Sequence, residues 1–207
     1  MRNNIIINEE KKIGDIITDS FQYLRYNFKG IIKALLIFTG PVLLILSGFL
    51  ILFTYKLLTT YNSLILIGAV LLYLFFITLI ELVIIEYITW DEKHGVPPTT
   101  KELFNVCKQD FLMLLWTIIL NFIFLGMAFM MFFIPGIFLF LPLSLIPIIR
   151  VKERTGYFTA MDKCLTLIAG NWWKTLGMLI IVMFIVYSVN IALNIPYYIV
   201  FFVGMSH

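Results

Sequence analysis

Charged residues fall in short groups separated by long apolar runs. No Asp, Glu, Lys or Arg lies between Lys33 and Lys56, between Lys56 and Glu81, from Phe111 to Ile149, or after Lys174. Each run is at least as long as the roughly 20 residues a helix needs to cross a hydrocarbon core. Lipid offers the backbone no hydrogen-bond partners, so such runs fold as helices; a spanning strand would alternate polar and apolar positions, and no such alternation is present. The pattern predicts an all-α, polytopic transmembrane helix bundle of five to six spans, with amphipathic helices at one surface.

The pattern divides the chain into an amphipathic segment, 1–33, and a transmembrane domain, 34–207. Spans are expected near 34–53, 64–85, 112–133, 136–149 and 175–193, the first carrying a Gly40-Pro41 step. A polar loop from Asp91 to Lys101 separates the second from the third. The run from Phe111 to Ile149 is too long for one helix. It is expected to break at Pro135-Gly136 into a hairpin whose short second arm, interrupted by Pro142 and Pro147, tilts or stops partway across. Beyond the fifth span a turn is expected at Asn194-Ile195-Pro196, leaving a hydrophobic stub at 196–205 that is either a truncated sixth helix or an interfacial one.

This layout puts every Lys and Arg except Lys56 on one side, which the positive-inside rule makes cytoplasmic. Trp90, Trp116, Trp172 and Trp173 sit near span ends on that side, and Tyr55, Tyr61, Tyr197 and Tyr198 near the other. Both aromatics favour the boundary, where an apolar ring carries a polar edge. The expected location is a cell (inner) membrane, multi-pass, with a cytoplasmic N-terminus. The first apolar run follows a charged segment and has no small-residue cleavage site, so the first span is expected to act as its own insertion signal.

Each cytoplasmic segment before an odd-numbered span reads as a helix lying along the membrane surface. Ile13, Ile16, Ile17, Phe21, Leu24 and Phe28 share one helical face. Phe21, Leu24, Asn27, Phe28 match the spacing of Phe104, Cys107, Asp110, Phe111 and of Leu165, Ile168, Asn171, Trp172. Three copies of a unit, surface helix, cap-like Asn or Asp, aromatic, span, would produce this. Any amphipathic helix entering a membrane would produce much of it as well.

Composition narrows the chemistry. The chain is 61% hydrophobic and 13% charged with a formal net charge of +3, too little and too scattered for nucleic acid. Cys107 and Cys164 fit no metal or CxxC spacing and read as small apolar fillers. Two histidines, no Gly-rich phosphate loop, no G-x-S-x-G and no HExxH leave hydrolysis without a signature, and no cofactor or metal is expected. Glu81 is the conspicuous residue, because a carboxylate inside a span costs about 2.5–3.5 kcal/mol on insertion scales unless partnered or protonated. It is either a polar site with Asn121 and Asn190 or a group that snorkels or bonds within the bundle. Glu86, five residues on, is expected to point to a different helix face and reach the headgroup level, and so not to form a catalytic carboxylate pair. Asp91 to His94 reads as a solvated turn. Trp90, Arg150, Glu153, Trp172 and Trp173 mark the cytoplasmic interface, with Arg150 and Glu153 placed to pair with Glu81 or Asp162.

Ile134-Pro135-Gly136-Ile137, Leu141 to Leu145, Arg150 to Glu153 and Gly156 through Asn171-Trp172-Trp173 together resemble the helical membrane domain of the glycerophosphodiester phosphodiesterase type and related bacterial integral membrane proteins. The stretch from Gly14 to Pro41 is similar to the opening of such proteins. The resemblance implies about six spans and an anchoring or accessory role, since the hydrolase of that family is a separate soluble barrel for which this chain is too short. The expectation is a non-enzymatic membrane scaffold or accessory protein whose partners are the lipid bilayer and other membrane proteins. The alternative is a transporter or channel subunit built around Glu81.

Overall fold

The computed structural model describes residues 12–57, 63–131 and 133–205. Among them are six helices and no strand: α1 (Ile13–Leu57), α2 (Ser63–His94), α3 (Thr100–Met131), α4 (Phe133–Glu153), α5 (Tyr157–Ile168) and α6 (Trp172–Met205). Four of these, α1, α2, α3 and α6, contain stretches long and apolar enough to cross a membrane. The chain is a helical membrane protein.

Packing runs in chain order, α1 on α2, α2 on α3, α3 on α4 and α4 on α5. One core joins Ala34, Leu82, Val83, Leu103, Cys107, Leu114 and Val151; a second joins Leu143, Ile146, Tyr157, Ala160 and Cys164. The buried positions of α3, Leu103, Cys107, Asp110, Leu114, Thr117 and Ile118, recur at spacings of three and four, so one stripe faces the neighbouring helices. The apolar stretch of α6 adds no buried residue to either core; it is half-buried in its first turns and largely exposed from Ile180 on.

Only the third of the three units is a separate helix ahead of its span. α1 is continuous through Asn27 and α3 through Asp110, so no elbow separates the first two amphipathic segments from their spans. At roughly 1.5 Å per residue the 45-residue α1 is about 68 Å long, more than twice a hydrocarbon core. The aligned polar residues are not caps. Asn27 and Asp110 are buried inside continuous helices, whereas Asn171 is exposed in a real turn. Gly170 explains the difference: at φ +86° it adopts the left-handed conformation that ends α5, with Ala169 N donating to Leu165 O and Asn171 N to Ile168 O. A side chain at Gly170 would meet nothing within 4 Å, so Gly170→Ala is expected to cost only conformational strain, about 1 kcal/mol, read as a small fall in the unfolding midpoint in detergent.

Three other expectations are corrected. Asp91 to His94 form the last turn of α2, which ends at Gly95 with φ +68° and Gly95 N on Asp91 O. The α3–α4 break does not fall at Pro135-Gly136, because α4 already begins at Phe133; Pro135 sits in its first turn, where an N–H would have no intrahelical acceptor anyway. α4 carries its charges, Arg150, Lys152 and Glu153, only in its last turn, after an apolar stretch that ends at Ile149. No turn interrupts Asn194-Ile195-Pro196: α6 runs unbroken to Met205, because one proline removes a single N–H while an open turn in lipid would strand several backbone groups. The C-terminal stub is therefore the end of the fifth predicted span.

α4 shows how the bundle treats its prolines. A proline withdraws the N–H that would bond the carbonyl four residues earlier. Pro147 thereby frees Leu143 O, and Asn121 Nδ2 donates to that oxygen at 3.0 Å. Pro142 frees Phe138 O, and Trp172 Nε1 donates to it over a long 3.5 Å while the two rings stack with centroids 4.8 Å apart. Neighbouring helices thus repair both gaps.

Candidate functional site: a polar seam at the charged end

The most unusual side chains lie where α2, α3 and the α4–α5 link meet. Thr78, Leu82, Glu86 and Thr89 form a buried stripe on α2, and Glu86 is only 4% exposed. Asp110, 6% exposed, occupies the facing stripe of α3 between Cys107 and Leu114. The Glu86 and Asp110 carboxyls are thus both buried in the packed interface of α2 and α3. Arg154 Nη2 lies 3.2 Å from Asp110 Oδ2 and supplies the compensating charge. Glu86 Oε1 makes no hydrogen bond among the described residues.

Arg154 reaches Asp110 from a strained backbone. Its φ of +52° is left-handed, unusual for a residue with a branched-out side chain, and its N–H caps α4 on Arg150 O. Arg154→Ala should lose the ion pair and keep the strain, whereas Arg154→Gly loses the pair and relieves it. Unfolding in detergent should therefore rank wild type above Gly and Gly above Ala, the last step about 1 kcal/mol.

A second cluster adjoins the first. Arg150 donates to Met113 O at 3.2 Å, to Thr117 Oγ1 and to Thr155 O, tying α4 to α3 and to its own exit. Its guanidinium also lies 6.0 Å from the Tyr157 ring centroid. Tyr157 donates its hydroxyl proton to Asn121 Oδ1 at 2.9 Å, so Asn121 joins α3, α4 and α5 through both ends of its amide. Burial pushes the Tyr157 phenol above its ordinary range, which keeps that donor proton in place at neutral pH.

The residues singled out from sequence are dispersed. Glu81 is half-buried on α2, and no hydrogen bond among the described residues joins it to Asn121 or Asn190. Asn190 is exposed on α6, where Asn194 Nδ2 donates to its backbone and side-chain oxygens at 2.8 and 3.1 Å. Arg150 pairs with neutral oxygens and not with Glu81 or Asp162, and Glu153 pairs with Lys163. Trp90 stacks on His94 with centroids 4.2 Å apart, and Trp173, 78% exposed, meets Trp172 edge-on. Glu86 departs from its expectation, being buried and not at the headgroup level. Its register with Leu82 and Thr78, four and eight residues back, is the signal that places it on the buried stripe. The same stripe on α3 would have found Asp110.

No set of metal-ligating side chains forms among the described residues. Cys107 and Cys164 are both free and buried. Burial pushes the Cys164 thiol up to about 11, leaving about one thiolate in a thousand at pH 8. Iodoacetamide at pH 8 is accordingly expected to leave Cys164 unmodified in the folded protein and to modify it after denaturation.

Compared with models of known families, with curated proteins and with solved structures, the chain has no match.

Proposed function

We propose that this chain is a non-enzymatic scaffold or accessory subunit of a bacterial inner membrane, its charged end and N-terminus cytoplasmic, acting through helix contacts with lipid and other membrane proteins. The observation that carries the reading is the use made of its buried polar groups. Arg150, Asn121, Tyr157 and Arg154 each bond a neighbouring helix or link, so they hold the bundle together and leave no convergent set facing an open path. α6 adds to this, since it is apolar on all sides and packs chiefly at its first turns. The charge asymmetry supports the orientation, and the resemblance to phosphodiesterase membrane domains supports an accessory role.

A transport reading draws on one specific feature, the two buried carboxyls of Glu86 and Asp110 on facing helices; the grouping of Glu81, Asn121 and Asn190 adds nothing to it. Proteoliposomes containing the purified chain are expected to pass protons and small ions no faster than empty vesicles. A photoreactive residue at Phe184 or Tyr187 of α6 is expected to give discrete protein adducts in native membranes. Flux above the empty-vesicle rate that disappears in Glu86→Gln, with only lipid adducts from α6, would replace the scaffold reading by the transport one.

A further inference from the structure

A cleft of about 590 Å³ opens at the charged end between α1, the α2–α3 link and the start of α3, within the range of small-molecule sites. Asn27 and Lys33 from α1 and Thr99 and Thr100 at the start of α3 give it polar character, with the hydroxyl-bearing Tyr26 and Tyr87 also in its lining. Asn27 is only 7% exposed, and its amide has no hydrogen-bond partner among the described residues although it lines the cleft. The amide is open to the cleft and not sealed in the bundle, so it can bond a group that enters there. Lys33 is exposed and forms no ion pair among the described residues, and no carboxylate lines the cleft. Lys29 stands one turn away beside Lys33. The other side of the cleft is apolar, with Ala34, Phe38 and Leu103.

Position decides which ligand suits this combination. Lys33 is the last charge on α1 before the apolar run that reaches Lys56, so the cleft straddles the boundary between headgroups and acyl chains. Gly30 lets α2 come close to α1 beside it: a Cβ there would lie 2.2 Å from the hydroxyl oxygen of the buried Tyr87, which forms part of the cleft wall. A cation and an unpaired amide at the polar end, followed by an apolar wall leading into the membrane, match a molecule with a phosphate at one end and a hydrocarbon chain at the other.

We propose that this cleft is a discrete site for an anionic phospholipid, its headgroup phosphate on Lys33 and the Asn27 amide and the start of one acyl chain along Ala34 and Phe38. The site goes beyond the scaffold reading and depends only on membrane residence. It also differs from general attraction to an anionic surface, because the acids on this face nearly balance its bases.

Native mass spectrometry of the full chain in non-ionic detergent tests it, with phosphatidylglycerol, phosphatidylcholine and inorganic phosphate as the probes. Phosphatidylglycerol is expected to bind one to one with at least a tenfold preference over phosphatidylcholine. Lys33→Gln should weaken it about fivefold, the worth of one lysine near an anionic headgroup. Asn27→Leu should weaken it at least as much. Lys33 is exposed, so its variant decides the matter even where Asn27→Leu fails to fold. Equal binding of the two lipids, or phosphatidylglycerol binding unchanged by Lys33→Gln, would overturn the proposal. Displacement of the lipid by millimolar inorganic phosphate would assign the cleft to a free anion and overturn it equally. Vesicle flux is untouched by these outcomes, so the site and the scaffold reading stand or fall separately.

Discussion

Arg150→Met is expected to destabilise the bundle by about 3 kcal/mol, the largest loss for any single substitution considered. Three oxygens depend on that guanidinium: Met113 O on α3, Thr117 Oγ1 beside it and Thr155 O at the exit of α4. Bonds from a charged donor contribute about 1.5–3 kcal/mol each, and the methionine keeps the packing volume while removing all of them. Met113 O and Thr117 Oγ1 still have bonds of their own, since Thr117 Oγ1 donates to Met113 O at 2.7 Å, which holds the total near 3 and not above it. Arg150→Lys should recover less than half, because a single ammonium cannot reach three oxygens in the directions the planar fork serves. The readout is the unfolding midpoint in detergent; a midpoint within one degree of wild type for Arg150→Met would mean that the seam contributes nothing to the fold.

The second large effect is a coupling. Asn121→Leu should cost about 1–2 kcal/mol, because it leaves Leu143 O with no donor and the Tyr157 hydroxyl with no acceptor. Leu143 O needs Asn121 only because Pro147 has no N–H to give it. Pro147→Ala restores that N–H, so the cost of Asn121→Leu should fall by about half in the Pro147→Ala background, with the Tyr157 part remaining. A double-mutant cycle measures this directly. Strict additivity of the two substitutions would show that the asparagine and the proline are unrelated.

Much of the fold was legible because the bilayer is a simple solvent. Charge-free runs had to be helices, and the breaks at Gly95 and Gly170 coincide with the residues best able to adopt positive φ. Proline was the poorer guide. At Pro135, Pro142, Pro147 and Pro196 the chain stays helical, because a missing N–H can fall in a first turn or be repaired by a neighbour such as Asn121. Asn27 and Asp110 misled for a related reason. Both residue types favour helix N-termini, and only the tertiary stripe shows that here they point into the bundle.

The candidate site was legible in part. Arg150, Asn121 and Trp172 were singled out from the sequence, and each has a definite structural task, although the partners are carbonyls and hydroxyls and not the acids first considered. Glu86, Asp110 and Arg154 could not be joined by counting along the chain. They lie on three different elements, 24 and 44 residues apart, and Arg154 is aimed by a left-handed backbone conformation that composition does not announce.

Water accessibility along the seam separates a bundle glued by polar contacts from one that encloses a path. In a chain with Cys107 and Cys164 replaced by Ala, single cysteines at Thr78, Thr117 and Asn121 would be exposed in turn to a membrane-impermeant maleimide applied from each side of sealed vesicles. The account predicts no labelling at any of the three from either side, since Thr78 and Thr117 have no exposed surface and Asn121 is held by two helices. Labelling of Thr117 and Asn121 positions in intact vesicles would reveal an aqueous route through the bundle and contradict it.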